Sequence, residues 1–198
     1  MKNRMMKKVL IALTAGVVVA VVAVATVIPA MAVSGNVTVS GTNNAKITIS
    51  VEDTSAAFGT NLDPSGPDSN SSDSVVDFQG TTGNQGSYYV WKAGGSGNTI
   101  TVKSNKSWNG TVAASENTGT STSMTVASGA MRYAEAVVPT SYSDAAGGVA
   151  FQTTGQAWKS SVAKGVNSYT HFYSLRVDWN DDPGTFSSTI TYEVTQVP

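Results

Sequence analysis

The chain of 198 residues contains no cysteine and a single histidine. Without cysteine no disulfide can cross-link it, and thiol nucleophiles and thiolate metal sites are excluded. One histidine cannot supply the several imidazoles that a histidine-based zinc site uses. Charge is scarce as well: Asp, Glu, Lys and Arg make up 13% of the residues. After residue 32 Leu, Glu and Lys are sparse, and no apolar pattern with a helical period is sustained. A helical domain is not expected from such a chain. Stability must come from apolar burial and backbone pairing alone.

What is present begins with an address. Lys2, Arg4, Lys7 and Lys8 form a basic segment, followed by an uninterrupted apolar and small-residue run from Val9 to Ile28. Pro29 and then Ala30-Met31-Ala32 have the form that signal peptidase cleaves. The expectation is export, with residues 1–32 removed after Ala32. The competing reading keeps the run as an uncleaved helical anchor, since its length nearly spans a bilayer. Both place the folded part outside the cytoplasm, and a membrane partner enters only if the leader stays attached.

Removing the leader leaves 166 residues, which suits one domain with a sizeable core. The leader holds four of the twelve basic residues and none of the acidic ones, so the remainder carries eight against thirteen, a net charge of about −5. That excess opposes binding to nucleic acid and electrostatic adsorption to anionic lipid.

Ser, Thr, Gly, Asn and Val dominate the remainder, a composition of short strands and turns. Val37 and Val39 lie on one side of a short segment, and Gly41 to Asn44 breaks it. Lys46 to Glu52 alternates Ile47, Ile49 and Val51 with polar residues, the period-two pattern of a half-buried strand. Gly59 to Asp73, with Pro64 and Pro67, is expected to be a surface loop. Further strands are expected around Val75–Phe78, Ser87–Lys92, Ile100–Val102, Ser107–Ala114, Ser121–Ala127, Ala130–Val138, Val149–Phe151 and Ala157–Val162.

Two hairpins are predicted. One joins the Trp91 strand to the Ile100 strand through Gly94–Asn98. The other joins Tyr169–Trp179 to Phe186–Thr195 through the turn Asn180–Gly184. On the first of those last strands Tyr169, His171, Tyr173, Leu175, Val177 and Trp179 share a face, which predicts Trp179 inside. Strands at this spacing predict an all-β fold, a single antiparallel β-sandwich of Greek-key or jelly-roll type over residues 45–198. Residues 33–44 form a flexible, β-competent arm ahead of it, carried by Val37 and Val39.

The runs Tyr173–Trp179 and Asp182–Tyr192, with Ser107–Val112 and Val33–Ser50, resemble small exported prokaryotic cell-surface β-sandwich proteins, the WxL-type and spore-coat-like group. The resemblance implies a sandwich fold and a structural role in the cell envelope. None of Trp91, Trp108, Trp158 or Trp179 has Leu two positions later, so attachment to peptidoglycan through Trp-x-Leu does not carry over.

Candidate chemistry is thin. His171 lies on an apolar strand face and no Gly-x-Ser-x-Gly elbow exists, so a catalytic triad is not expected. Asp63, Asp68, Asp73 and Asp77, with Asn70, offer oxygens that calcium can use, without the spacing of an EF-hand; a solvated loop is the competing reading. Trp91 with Tyr88 and Tyr89, or Trp108 beside Asn105 and Asn109, can form a platform for sugar rings if exposed, and core packing is the alternative. Asn36, Asn70, Asn105 and Asn109 head N-x-Ser/Thr sequons. The reading that follows is a non-enzymatic exported structural protein with no required cofactor, assembling with itself or with other envelope proteins. A polysaccharide-binding module is the alternative, and a secreted hydrolase the weaker third.

Overall fold

The computed structural model describes residues 42–60, 62–66, 75–82 and 85–198. The leader, the arm with Val37 and Val39, and Asp68, Asn70 and Asp73 lie outside the described residues. Asn44–Pro198 forms a compact unit, and it is an antiparallel β-sandwich as the strand pattern predicts.

Ten strands occur among the described residues: β1 (Ile47–Val51), β2 (Val75–Gln79), β3 (Ser87–Trp91), β4 (Asn98–Ser104), β5 (Trp108–Ala114), β6 (Met131–Glu135), β7 (Val149–Ala150), β8 (Gln156–Val162), β9 (Gly165–Val177) and β10 (Ile190–Gln196). Seven form the large sheet, and β10, β5 and β8 form the small one in that order. Apolar residues at alternate positions, Ile47, Ile49 and Val51 of β1, Ile100 and Val102 of β4, Trp108, Val112 and Ala114 of β5, and Ile190, Tyr192 and Val194 of β10, give each strand one face to bury.

The large sheet is organised by β9, which is 13 residues long. Its Tyr173, Ser174 and Leu175 each pair with β3 and with β6, so those two strands lie on opposite edges. His171 pairs with Asn98 of β4 and with Glu135 of β6, which puts β4 on the same edge as β3. β3 and β4 are therefore consecutive stretches along one edge of β9, separated by an excursion over Lys92–Gly97. β2 and β1 repeat this arrangement one strand further out.

Both predicted hairpins are corrected by this topology. β3 and β4 run in the same direction and do not pair. β9 and β10 lie in different sheets, with β10 paired to β5 from Ile190↔Ala114 to Gln196↔Trp108. Alternation reports which face of a strand is apolar, and a sandwich can satisfy two such faces across the core as well as side by side.

The core between the sheets includes Tyr89, Trp91, Val112, Tyr133, Phe151, Tyr173 and Leu175. A second cluster covers the outer face of the large sheet, where Tyr88, Val90 and Phe172 meet Ala145. Ala145 belongs to α1 (Tyr142–Ala146), a short helix absent from the sequence expectation. Ser141 caps it by accepting from the Asp144 N–H at 3.1 Å, and Asp144 accepts from Thr140 N–H at 3.1 Å. Arg132 donates to the carbonyls of Ala146 and Gly148, both at 2.9 Å, and closes its other end. One turn of helix has no helical period to detect, and here packing on Tyr88 and Phe172 supports it.

Residues Ser121–Ala127 are not a strand. Met124 and Val126 are buried there, but the backbone forms bends and turns. Trp179 lies past the end of β9 and is 55% exposed, so the face predicted from alternation stops at Val177. Trp108, by contrast, is fully buried. Trp108→Ala is expected to lower the unfolding free energy by about 3–5 kcal/mol in urea titrations, the cost of a large core cavity.

Candidate functional site

Sheet edges are where a sandwich can accept something new, because an unpaired edge presents free N–H and C=O groups. In this protein the β1 edge and the β10 edge face one another across a seam. β1 forms its ladder with β4, and β10 forms its ladder with β5; neither forms one with the other. At one end the seam is tied, because Gln196 Nε2 donates to Lys46 O at 2.9 Å, Ser104 Oγ at 3.0 Å and Asn105 Oδ1 at 3.1 Å. At the other end it opens into a cleft of about 500 Å³. Ile49 and Val51 form one wall, Ile190 and Phe186 the other, and Asn98, Tyr173 and Tyr192 contribute polar groups.

Those polar groups belong to a chain of hydrogen bonds that crosses the sandwich. Asn98, on the inner face of β4, donates from Nδ2 to Asp53 O at 2.9 Å and to Tyr173 Oη at 3.0 Å. Its Oδ1 accepts from Asp53 N–H at 3.1 Å. Tyr173 Oη lies 3.1 Å from Tyr192 Oη, and Tyr192 Oη lies 2.7 Å from His171 Nδ1. His171 Nε2 is 3.4 Å from Glu135 Oε2, and Glu135 pairs with Lys159 of β8. With the Asn98 amide donating at one end and carboxylate accepting at the other, the donors run one way. Tyr173 donates to Tyr192, Tyr192 donates to His171 Nδ1, and Nε2–H donates to Glu135.

Protonation follows from burial. His171 is fully buried, stacked on Tyr133 at 4.7 Å and met edge-on by Trp158 at 5.4 Å. Desolvation lowers its pKa from 6.5 to about 4, although the Glu135 charge opposes the shift. Burial raises the pKa of Tyr192 and of Tyr173, and for Tyr173 its hydrogen bonding with Tyr192 and Asn98 opposes the shift. The chain is neutral from Asn98 to His171 at ordinary pH and becomes charged only where Glu135 and Lys159 meet solvent. Lys159 also sits 4.3 Å over the Tyr169 ring, a cation–π contact that holds its ammonium at the edge of the sandwich. Chemically this arrangement braces two sheets. The hydrogen-bond partners of His171 are Tyr192 and Glu135, and neither is an activated hydroxyl nucleophile.

The sugar platform expected at Trp91 or Trp108 is corrected by their burial. Trp91 is 5% exposed and stacks on Tyr173 at 5.7 Å. Trp108 is enclosed by Trp158 and Tyr169, each 6.1 Å away. Neither ring offers a face to a ligand. Of the calcium candidates, Asp63 and Asp77 are described, and both lie close enough to Tyr89 for their charges to act on its phenol. Asp63 is occupied by a local turn: its Oδ1 accepts from Ser65 N–H at 2.8 Å and from Ser65 Oγ at 2.7 Å, which holds its carboxyl below the usual range. Among the described residues no three acidic or histidine side chains are placed to hold a metal ion. Of the sequon heads, Asn105 and Asn109 are exposed, and their amide oxygens accept from Lys46 N–H at 2.8 Å and Ser161 N–H at 2.7 Å.

The sequence carried one signal for the polar chain: His171 and Tyr192 interrupt the apolar faces of their strands with groups that must find partners. It carried none for the seam, which depends on which strands fail to pair. Compared with family models, with curated proteins and with solved structures, the chain matches none.

The brace predicts a pH dependence. An unfolded His171 titrates near 6.5 and the folded one near 4, so between those values the unfolded chain binds the extra proton. This contribution is fully present above ~6.5 and is lost as pH falls towards and through ~4, amounting to about 3 kcal/mol. Urea titrations across that window are expected to show the slope, and His171→Gln to flatten it.

Proposed function

We propose that this is an exported, non-enzymatic structural protein of the cell surface or extracellular matrix, which assembles by adding residues 33–44 of one copy to the sandwich of the next. The observation that carries the reading is the open seam. Among the described residues β1 pairs only with β4 and β10 only with β5, and their other edges flank a cleft walled by Ile49, Val51 and Ile190. An added strand is the ligand such a slot fits, since it supplies backbone groups to the edge and alternate side chains to the walls. Val37 and Val39, two apart, have that spacing.

The composition agrees with the reading. A chain without cysteine cannot join its subunits by disulfides, so backbone pairing and apolar burial are the bonds left to it. Donation from each copy to the next is a heterologous contact, and such contacts propagate into open filaments unless the rotation closes a ring. The basic leader with its apolar run and Ala-Met-Ala supports export, and the resemblance to exported surface sandwiches points to the same place.

Light scattering coupled to size exclusion tests this on residues 33–198. The expected result is growth into larger species as concentration rises. Residues 45–198 are expected to remain monomeric with unfolding cooperativity intact, and Ile49→Lys within 33–198 to block growth by placing a charge in the slot. Assembly that persists in 45–198, or a 33–198 chain that stays monomeric at every concentration, would overturn the proposal.

A further inference from the structure

We propose that the cleft beside Trp179 binds a neutral, hydroxyl-rich glycan, with the indole as the stacking surface for a pyranose ring. Trp179 follows directly on β9 but leaves the core at 55% exposure, whereas Trp91 and Trp108 are buried. A lone exposed aromatic ring on a protein surface needs no explanation. This one forms a wall of a cleft of about 650 Å³ whose interior is lined by Phe58, Leu62, Met124 and Phe186. That volume lies within the range of small-molecule sites, roughly 300–1,000 Å³.

The ring is carried on a turn that the rest of the protein holds still. Asp178 N–H donates to Asp181 Oδ2 at 2.6 Å, and Asp181 N–H donates back to Asp178 O at 3.0 Å. Asp182 N–H donates to Ser123 Oγ, and Ser121 Oγ donates to Asp182 O at 2.9 Å. Gly184, at φ 159°, packs so closely that a Cβ there would lie 2.5 Å from Ser121 N. A ring on a turn anchored in this way loses little freedom when a ligand arrives, so less of the contact energy is spent on ordering.

The chemistry of the rim selects the ligand class. Asp178, Asp181, Asp182 and Pro183 lie along the same cleft as Trp179. Arg176 stands 4.0 Å from Asp178, leaving three carboxylates against one guanidinium. Such a rim repels phosphate, sulfate and uronate groups. It accepts hydrogen bonds from hydroxyls, which a neutral sugar presents around its edge while its C–H face lies on the indole. Each rim carboxylate already has a protein partner: Asp181 accepts from Asp178 N–H, Asp182 accepts from Thr122 Oγ1, and Asp178 pairs with Arg176. A carboxylate has lone pairs beyond those for a sugar hydroxyl, and an apolar ligand would fill the cleft without using them. The proposal does not rest on the assembly reading, although the two clefts share Ala56, Phe58 and Phe186 as a wall.

Titration of residues 33–198 with cello-, malto-, manno- and N-acetylchito-oligosaccharides tests the proposal, with an oligogalacturonate as the anionic comparison. Calorimetry and indole emission are the two readouts. The expected result is saturable binding of at least one neutral oligosaccharide, a blue shift of the exposed indole, and no binding of the oligogalacturonate. Trp179→Ala is expected to weaken binding by about tenfold or more, and Trp179→Tyr to restore most of it. Thermal melts of both variants should match the parent, because the ring contributes to the rim and not to the core. Absence of binding by all four neutral oligosaccharides at millimolar concentration would overturn the proposal. So would binding that is unchanged in Trp179→Ala, or a preference for the oligogalacturonate or for an alkyl detergent.

Discussion

The fold depends on β9 being able to hold neighbours along both edges and against both faces. Along one edge it carries β4 and then β3, and along the other it carries β6. Thirteen residues in extended conformation reach about 40 Å, long enough for two shorter strands to sit end to end. The excursion over Lys92–Gly97 exists because β3 and β4 must both align with this one strand. Inward, its His171, Tyr173 and Leu175 meet the small sheet and the core. Outward, Phe172 and Ser174 are covered by the segment that includes α1. The strand is thus buried on both faces from His171 to Leu175, while its first six residues, Gly165 to Thr170, stay exposed or half-buried.

The second dependence is between the sheets. With no disulfide to tie them, apolar packing alone would leave their relative position loosely specified, because such surfaces tolerate sliding. The chain from Asn98 through Tyr173, Tyr192 and His171 to Glu135 removes that freedom. Each of its hydrogen bonds is worth about 1 kcal/mol net, but a buried group left without its partner costs about 1–3 kcal/mol. Shifting β10 against β9 by one residue would orphan several members together. The chain also explains how the seam persists. Asn98, Tyr173 and Tyr192 satisfy one another at the cleft, so β1 and β10 can stay apart there without exposing unpaired side-chain polar groups.

The strand positions were legible in the sequence and the pairings were not. Lys46–Glu52, Ser87–Lys92 and Ser107–Ala114 all contain strands because alternation is a local property of the chain. Pairing is set at a distance: the partner of Tyr192 in the ladder is Val112, and its partner through the side chain is His171. Val177 and Ile190 are separated by a segment that follows the turn with an irregular pairing, in which Ser121, Thr118 and Ser115 donate their N–H groups to the carbonyls of Thr185, Ser187 and Thr189. That extension leads the chain into the small sheet. Met124 and Val126 misled in the opposite way, because burial without ladder bonds produces the same apolar residues as a strand. Trp179 misled because parity has no meaning beyond the last paired residue. His171 was placed inside correctly, since its parity within β9 is shared with Tyr173 and Leu175.

The seam and the Trp179 cleft are neighbours with a common wall. Ala56, Phe58 and Phe186 line both. Phe58 belongs to the excursion between β1 and β2, which Tyr89 fastens by accepting from Asp63 N–H at 2.7 Å and donating to Asp63 O at 2.9 Å. Phe186 belongs to the extension that leads into β10. Both rings pack against the core where, among the described residues, neither sheet has a strand, so side chains from connecting segments complete the core there. A strand would have closed this end with ladder bonds and left no concavity. Segments without ladder bonds close it with side chains instead, and side-chain closure leaves the two hollows that distinguish this sandwich from a fully sealed one.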